Sequence, residues 1–346
     1  MPETIDLLHY SSMTPIVDEI KAPQRFLQSL LFSMHDPKPT GKIEISIEQD
    51  GREMAPFVTV NGEAVQVTGV ANTFQTVEAP NIRIKRAMAP SDLLEKRRPG
   101  QPIFSNQAQI AAGARRHVTQ ELAKLERLIV NRIEWLCAMA LRGVIQYSVP
   151  DLGNFTISFN KPAGHTIILA GAALWTAATG VPIEQFRQAK RLVADEHGIS
   201  VTHAIMGQEA ASAFLANPNV RAELDNRRFD MESTLSANPD FSPEGAVFLG
   251  VYCGIPCWEY SRSLEGAPLI RSKYVEFVTA SPSAENVLYF GSINDHDALD
   301  GGTWVGERFS KSWVTKDPSV RWALVQSRPL PVMRRPGSVV SIQVVA

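Results

Sequence analysis

The sequence predicts an α+β fold large enough for two lobes, and three observations support this prediction. The chain has 346 residues, of which 44% are hydrophobic and 20% charged, as in an ordinary globular protein. One long stretch, residues 105–143, has the apolar period of a helix. Short β-rich segments with turn signals lie on both sides of this stretch, so strands and helices are mixed along the chain.

A cluster of large apolar residues lies near the N-terminus, from Phe26 to Phe32, and includes Leu30. It follows Ile16–Ile20, which has the pattern of a short amphipathic turn. An apolar cluster of this size must be covered. A nearby core of the same chain and a neighbouring subunit are both consistent with the pattern.

The next part of the chain has the pattern of a long β-hairpin. Lys42–Glu48 alternates apolar and polar residues, which predicts a half-buried strand. Asn61-Gly62 stands between two β-rich runs, the first of which begins at Phe57, and this dipeptide favours a type I′ turn. We interpret Thr73–Met88 as the returning strand. Because a two-stranded projection is only marginally stable in water, it needs a partner surface.

Residues 105–143 predict one long amphipathic helix. Val118, Leu122 and Leu125 begin an apolar row with spacings of three and four residues. Polar residues mark the opposite face: Gln120, Lys124, Arg127, Asn131 and Glu134. Gly143 is a suitable C-terminal stop. A helix of a coiled coil or a bundle would have the same pattern.

Between residues 150 and 290, helical and strand patterns alternate as in a compact α/β or α+β lobe. Pro182–His197 predicts a helix, since Pro stands in its first turn and Gly198 follows its end. The other elements predicted in this region are strands at Ile199–Met206, Ala246–Tyr252 and Val287–Gly291, and a helix at Gln208–Leu215.

The charge balance argues against a protein that coats nucleic acid. Lysine and arginine number 34 against 36 acidic residues, whereas neutralising phosphates requires a basic surplus. If the chain encloses DNA, we expect it to surround the DNA without binding its phosphates.

No apolar run reaches the roughly 20 residues needed to cross a bilayer. The first nine residues lack the pattern of a signal peptide, so we expect a protein made and kept in the cytosol, with reduced cysteines.

We find no local motif for catalysis, a cofactor or a metal. Cys253 and Cys257 are one residue further apart than a thioredoxin-like pair, which favours a role as small apolar residues. Asn294–Asp297 lacks the spacing of a calcium loop and predicts a polar surface loop. We therefore assign no catalytic, cofactor-binding or metal-ligating residue, although a site assembled from distant residues would leave no local pattern.

The last 35 residues predict two strands joined by a proline-bent connection. Trp322–Val325 is a short apolar run, and Val339–Val345 is rich in β-branched residues. Pro329 and Pro331 stand between them. The abundance of Val and Ile in the second strand favours a place inside a sheet.

The order of residues in this segment is specific. Its features are an aromatic-Val-Thr run at Trp313–Thr315, then Asp317-Pro318, Gln326-Ser327 after an apolar strand, a Pro329-Leu330 turn, and the closing strand Val340–Val344. This order resembles the end of the lambda-type phage major capsid proteins. The resemblance extends over the whole chain in its order of elements and is most specific from about Phe309 onward.

The resemblance implies a Hong Kong 97-like fold with four parts. They are an N-terminal arm (1–41), an extended β-hairpin loop (42–88), a peripheral domain with a spine helix at 105–143 (89–160 and 300–346) and an axial domain (161–299). The implied function is that of a major capsid protein whose hexamers and pentamers form an icosahedral shell around a double-stranded DNA genome. The implied location is the virion, with assembly in the host cytoplasm.

The implied partners are further copies of the chain, together with scaffolding, portal and decoration proteins, and no cofactor or membrane is expected. The residues that we expect at contacts between subunits are Phe26, Leu30, Phe57, Asn61, Gly62, Arg83, Lys124 and Arg127. Some shells of this fold are cross-linked through a lysine of the extended loop. Here Lys42 and Lys85 are the only lysines of the hairpin and both lie at its base, which predicts a non-covalent shell.

Two other classes of protein remain open from the sequence. A nanocompartment (encapsulin-like) shell protein has the same fold and would enclose an enzyme cargo. An α/β enzyme would be a small oligomer with a ligand pocket in the region 150–290.

Overall fold

The structure, a computed structural model, describes residues 25–47, 73–88, 107–149, 153–227, 245–280, 284–298, 302–317 and 320–346. Three of the expected contact residues, Phe57, Asn61 and Gly62, lie outside these ranges. The predicted amphipathic turn at residues 16–20 and the tip of the hairpin lie outside them as well.

The described residues mix helices and strands, as the predicted α+β class requires. The α-helices are α1 (Phe26–Leu31), α2 (Gln107–Leu141), α3 (Pro182–His197), α4 (Gln208–Ala216) and α5 (Pro218–Arg227). The first ten strands are β1 (Met34–Pro37), β2 (Lys42–Ile47), β3 (Thr73–Glu78), β4 (Ile82–Met88), β5 (Val144–Val149), β6 (Gly153–Ser158), β7 (Thr166–Ile168), β8 (His203–Met206), β9 (Ala246–Tyr252) and β10 (Ile255–Tyr260). The others are β11 (Ser263–Leu264), β12 (Ala267–Pro268), β13 (Tyr274–Val278), β14 (Val287–Phe290), β15 (Ile293–Asn294), β16 (Thr303–Trp304), β17 (Phe309–Thr315), β18 (Val320–Ser327), β19 (Pro329–Val332) and β20 (Val339–Gln343).

Helix α2 lies within the predicted stretch 105–143 and has 35 residues, which corresponds to a length of about 50 Å. Leu122, Leu125 and Ile129 of its apolar row are buried. The helix ends where Gly143 adopts a φ of +85° and donates its N–H to the Ala140 carbonyl, because a left-handed residue stops the helical ladder. In the described ranges, neither this helix nor another has the apolar length that crossing a membrane requires.

The largest sheet among the described residues has six strands in the order β7-β20-β13-β8-β10-β9. Strand β20 pairs in parallel with β7 and antiparallel with β13, with Ile342 opposite Ile167 on one side and Val275 on the other. Val339, Val340 and Ile342 are fully buried. The prediction that the last strand lies inside a sheet is confirmed.

The six-stranded sheet contributes to two apolar cores. Because successive side chains of a strand face opposite sides, Ile205 of β8 faces one core and its neighbours Ala204 and Met206 face the other. The first core also contains residues of α1 and α2, of β14 and β19 from one three-stranded sheet and of β18 and β4 from the other. The second core lies between the six-stranded sheet and helices α3 and α4. Its centre is Phe186, whose ring lies 4.8 Å from that of Phe277.

Local sequence signals predicted the bounds of some elements correctly. Helix α3 has the predicted bounds, and Gly198 follows it with a φ of +66°. Strand β8 is shorter than predicted, because only His203–Met206 finds partners in β10 and β13.

The interpretation of Thr73–Met88 as a single returning strand is wrong. The segment forms two strands, separated at Pro80, which has no N–H to donate. Strand β3 pairs with β2, whereas β4 pairs with β18 in another sheet, with Ile82 opposite Ser327.

The predicted proline-bent connection contains a strand of its own. In β19, Pro329 lies opposite Phe290 and Pro331 opposite Leu288 of β14. Prolines are tolerated here because β19 is an edge strand of its sheet.

The strands do not pair along the expected division into 161–299 and 300–346. Strand β20, from the second range, lies in the six-stranded sheet with β13 of the first. Strand β14, from the first range, pairs with β1 and with β19. Strand pairs therefore link the two ranges, and these pairs join segments that are far apart in sequence.

Candidate assembly surfaces

The two strands that lead to the hairpin tip leave the body from a fixed base. Strands β2 and β3 pair from Lys42 opposite Glu78 to Ile47 opposite Thr73. The Arg328 guanidinium lies at this base and donates hydrogen bonds to the Glu78 carboxylate at 3.1 Å and to the Ala79 carbonyl at 3.3 Å. A Cβ on Gly41 would collide with this guanidinium, so any other residue there would displace the Arg328 side chain. The ends of β2 and β3 at Lys42 and Glu78 are therefore held on the body by ionic and hydrogen-bonding contacts.

Helix α2 exposes a basic face. The Lys124 side chain is 53% exposed, and its ammonium lies 2.8 Å from the Glu121 carboxylate. Arg127, one turn further, is exposed as well. On the other side of Glu121, the Arg86 guanidinium of strand β4 lies at 2.8 Å. Two of the expected contact residues, Lys124 and Arg127, thus share one exposed face of this helix.

Arg83 of strand β4 belongs to a second ionic group. Its guanidinium lies 3.5 Å from the Asp295 carboxylate, which also accepts a hydrogen bond from the Lys311 ammonium at 2.6 Å. Burial acts to raise the pKa of Asp295, but the bonds from Lys311 and from the Asp297 amide outweigh it and lower the pKa. Lys311 also bonds Asp297 at 2.8 Å. The loop predicted to be polar is thus held by ion pairs, and no cluster suited to a metal ion occurs in the described ranges.

Phe26 packs inside its own chain. Its side chain is only 2% exposed, and its ring lies 5.3 Å from the rings of Trp258 and Tyr260. Leu30 is half-buried against the same core. Phe26 therefore has almost no surface left for a neighbouring subunit, and of the two alternatives for this apolar cluster the structure shows cover by a core of the same chain.

A buried carboxylate of helix α2 holds helix α1 in place. Glu134 is fully buried, and its two oxygens accept the backbone N–H groups of Leu27 at 2.9 Å and Gln28 at 3.1 Å. It thus satisfies two of the N–H groups that the start of α1 leaves without a partner. The Tyr260 hydroxyl donates a third bond at 2.8 Å. Burial raises the pKa of Glu134, and these three bonds oppose the rise.

The sequence pattern puts Glu134 on the polar face of the helix, so its role as a buried hydrogen-bond acceptor was not predicted. A signal was present, because the positions three and four residues on, Cys137 and Ala138, are apolar. A lone carboxylate among apolar neighbours on a helix indicates a buried hydrogen-bonding site.

A second buried ion pair joins α2 to the strands near the end of the chain. The Arg308 guanidinium donates to both carboxylate oxygens of Glu126, at 2.8 and 2.9 Å, and each side chain is 7% exposed. Arg308 also donates to the Ser327 hydroxyl of β18 at 3.1 Å. This pair, also missed from the sequence, fixes the sheet β17-β18-β4 on the long helix.

A third polar cluster joins the C-terminal end of α2 to the six-stranded sheet. The Lys161 ammonium donates to the Ser341 hydroxyl at 2.7 Å and to the Leu141 carbonyl at 3.3 Å. The Ser341 hydroxyl donates to Glu276, which also accepts a bond from Arg271 at 2.9 Å. Burial lowers the pKa of Lys161 to about 8.

The two cysteines closest in sequence are not joined in a disulfide. Cys253 and Gly254 have positive φ angles of 53° and 74° and form the two-residue turn between β9 and β10. Burial raises the pKa of the Cys257 thiol to about 12, which disfavours the thiolate that metal binding or redox chemistry needs. These facts support the role as small apolar residues.

Solved structures of the same architecture are phage capsid proteins. A capsid protein assigned to a prophage of Escherichia coli CFT073 superposes with a TM-score of 0.69 over 98% of this chain and 99% of that chain, at 16% identity. The capsid of Ralstonia phage GP4 superposes with a TM-score of 0.51 over 94% and 92%, at 14% identity. The fold is therefore that of the Hong Kong 97-like phage capsid proteins.

The sequence supplies the family. Residues 10–344 match the model of the phage major capsid protein E family, and the chain belongs to this family. The major capsid protein of Escherichia phage lambda is 22% identical over 323 residues, which cover 91% of this chain and 92% of that protein. The major capsid protein of Escherichia phage N15 is 24% identical over 236 residues, or 66% and 68% of the two chains. The chain is thus a structural component of a phage capsid, not an enzyme, and the family favours a virion shell over a nanocompartment.

Proposed function

We propose that the chain forms hexamers and pentamers that close into an icosahedral shell around a double-stranded DNA genome. The observation that carries this proposal is the fixed base of the hairpin, where Arg328 binds Glu78 and Ala79 beside the paired strands β2 and β3. Because this base holds the described strands β2 and β3, we propose that residues 48–72, which connect them, contact a neighbouring subunit.

The exposed basic residues Arg83, Lys124 and Arg127 form the second part of the proposed contacts. Each contributes little, since an exposed ion pair contributes at most about 1 kcal/mol. A shell repeats the same contact many times, so weak pairs add up while single errors can still dissociate during closure. Phe57, Asn61 and Gly62 stay in the proposed set of contacts as residues of the hairpin. Leu30 stays in the set because its side chain on α1 is only half-buried.

The shell that we propose is non-covalent. Lys85 lies at the base of the hairpin, and its ammonium lies 4.6 Å from the ring centre of Trp322 in its own chain. A lysine held over its own tryptophan is poorly placed to react with an adjacent subunit. Shell strength then comes from repeated surface contacts.

The proposed partners follow from the family and from the charge. The chain would take a scaffolding, a portal and a decoration protein as partners, and assembly would occur in the host cytoplasm. The nearly neutral chain, with 34 basic and 36 acidic residues, would enclose DNA without reading its sequence.

Negative-stain electron microscopy and sedimentation of the purified chain test the proposal, with and without its phage's other head proteins. Closed particles, or hexamers and pentamers that close only when a second head protein is present, support it. A single small oligomer under every condition contradicts it.

Deletion of residues 52–70 tests the part played by the hairpin. The shortened chain should stay folded by circular dichroism but fail to close shells. The control is Glu209→Lys on helix α4, which should melt and assemble as the parent chain does. Normal shells from the deletion would contradict the proposed contact.

A further inference from the structure

An open groove of about 750 Å³ crosses the body of the subunit beside helix α2. Its walls are strand β4, strand β5 and the turn between β11 and β12. Its floor is apolar: Ile82, Ile84, Trp135 and Tyr147 rest on the first core with one side open. Leu128 of α2 lines it too and is 57% exposed. A groove of this kind is a surface that a segment of chain can cover.

The rim of the groove carries positive charge at the point where the described chain begins. Asn131, which lines the groove, accepts hydrogen bonds from Arg25 and Arg262, each at 3.1 Å. Arg132, also in the lining, lies 5.3 Å from the ring centre of Trp135 and pairs with the exposed Glu265 at 3.4 Å. Two guanidinium groups thus bind Asn131, and a third belongs to the next residue of the helix, Arg132. Burial and Arg262 together lower the pKa of Arg25.

Residues 1–24 have the composition that this groove would bind. They contain the carboxylates Glu3, Asp6, Asp18 and Glu19 against a single lysine, Lys21. They also contain eight large apolar residues: Ile5, Leu7, Leu8, Tyr10, Met13, Ile16, Val17 and Ile20. The segment joins the described chain at Arg25, whose buried guanidinium bonds Asn131 of the groove lining. At roughly 3.3 Å per extended residue, 24 residues are long enough to cross any part of it.

We propose that residues 1–24 lie in this groove of their own chain while the subunit is unassembled. The apolar residues cover the floor from Ile84 to Tyr147, and the carboxylates face the arginines around Asn131. The inference concerns the single subunit and does not depend on the shell contacts proposed above. Residues 48–72 are also acidic, but they join the described chain at Ile47 and Thr73 of β2 and β3, whereas residues 1–24 join it at Arg25, which bonds Asn131 of the lining.

A photo-crosslinking experiment on the full-length, unassembled chain tests the proposal. The photoreactive residue p-benzoylphenylalanine replaces Leu128, which is exposed and therefore tolerates the change. Equal amounts of ¹⁴N and ¹⁵N chains are mixed at low concentration, irradiated and digested with trypsin. We expect crosslinks from residue 128 to the peptide 1–21, with both halves carrying the same isotope. The control is the same replacement at Leu215, which is 42% exposed on α4 and should give no such crosslink.

The other outcomes overturn the proposal. Crosslinks of mixed isotope place the segment of a second copy in the groove, crosslinks to residues 48–72 place the hairpin there, and an absence of crosslinks leaves residues 1–24 elsewhere. Charge provides a second test. Asp18→Lys with Glu19→Lys should lower the crosslink yield about threefold, and adding Arg132→Glu should restore part of it. A crosslink yield that stays the same in both variants would show that charge does not contribute to binding in the groove.

A footprinting measurement checks the result without the photoreactive residue. Deletion of residues 2–20 should increase hydroxyl-radical labelling of Trp135 and Tyr147 but leave the fully buried Tyr260 unchanged. Equal labelling of Trp135 and Tyr147 in both chains would show that residues 2–20 do not cover the groove.

Discussion

The Tyr260 hydroxyl donates a hydrogen bond of 2.8 Å to Oε1 of Glu134, and both side chains are fully buried. The bond joins the long helix α2 to the last residue of strand β10, while the same carboxylate holds the start of α1. Three elements that are distant in sequence therefore meet at one carboxylate. The arrangement makes Glu134 a position at which a single change should loosen the whole body of the subunit.

Replacing Glu134 by alanine should lower the free energy of unfolding of the unassembled subunit by about 3 kcal/mol, because the amides of Leu27 and Gln28 lose their acceptor while buried. Tyr260→Phe removes one bond and should cost about 1.5 kcal/mol. Urea denaturation followed by tryptophan fluorescence measures both. The control is Lys124→Ala, whose side chain is exposed. Equal stability of Glu134→Ala and Lys124→Ala would contradict the role of Glu134.

Arg308 and Glu126 should behave as one unit in a double-mutant cycle. Either single change to alanine leaves a buried charge without its partner and should cost about 3–5 kcal/mol. The double change should cost less than the sum of the two, with a coupling of about 2 kcal/mol. The same cycle on the exposed pair Arg132 and Glu265 provides the control and should give a coupling below about 1 kcal/mol. Additive costs at Arg308 and Glu126 would show that the pair is not coupled.

Lys161 should make stability depend on pH between about 8 and 10.5. Its folded pKa is about 8, whereas an ordinary lysine has 10.5, so the unfolded chain binds more protons than the folded chain in this window. The free energy of unfolding contributed by Lys161 therefore rises with pH, by no more than about 3 kcal/mol. The measurement is the difference between the parent chain and Lys161→Met in urea denaturation from pH 7.5 to 10.5.

This difference removes the effect of other groups that titrate in the same window, such as Cys257, whose raised pKa acts in the opposite direction. The parent chain should gain stability relative to Lys161→Met as pH rises. Two curves that stay parallel across the window would mean that the Lys161 pKa is not lowered in the fold.

Arg328→Ala should loosen the base of the hairpin. The guanidinium donates to the Glu78 carboxylate and to the carbonyls of Ala79 and Ser292, and without it these acceptors lose their shared donor. The bond from the Ala79 N–H to the Gly41 carbonyl then remains as the contact at this base. Hydrogen exchange followed by mass spectrometry should show about tenfold faster exchange in residues 73–88. Arg191→Ala, at an exposed arginine of α3, provides the control and should leave this segment unchanged. Equal exchange rates in the two variants would mean that Arg328 does not hold the base.

Local signals in the sequence predicted the local structure. Pro182 and Gly198 mark the two ends of α3, because proline fits the first turn and glycine reaches the left-handed conformation after the last. The apolar row of α2 is periodic enough to be recognised over its whole length. The final strand was correctly placed inside a sheet from its Val and Ile content.

Long-range relations could not be predicted in the same way. Nothing in Ile82–Met88 indicates that it pairs with residues 320–327, because the pairing depends on how the chain folds between them. The prolines of β19 predict a bend, and only the edge position of that strand explains why they are tolerated. Glu126 and Glu134 look like surface residues of a helix until the elements that cover them are known. The exposed charged residues of the candidate surfaces could therefore be predicted from the sequence. The buried charged residues that hold the helices and strands of these surfaces together could not.

The place of β20 between β7 and β13 also sets an order of events during translation. The ribosome delivers the other five strands of the sheet before residues 339–343, so β7 and β13 each wait with an open edge. A polypeptide that is released before residue 339 keeps both edges open and leaves the second core without Val340 and Ile342. Such a fragment is a substrate for proteases and chaperones. A polypeptide that lacks residues 339–343 therefore cannot complete the six-stranded sheet.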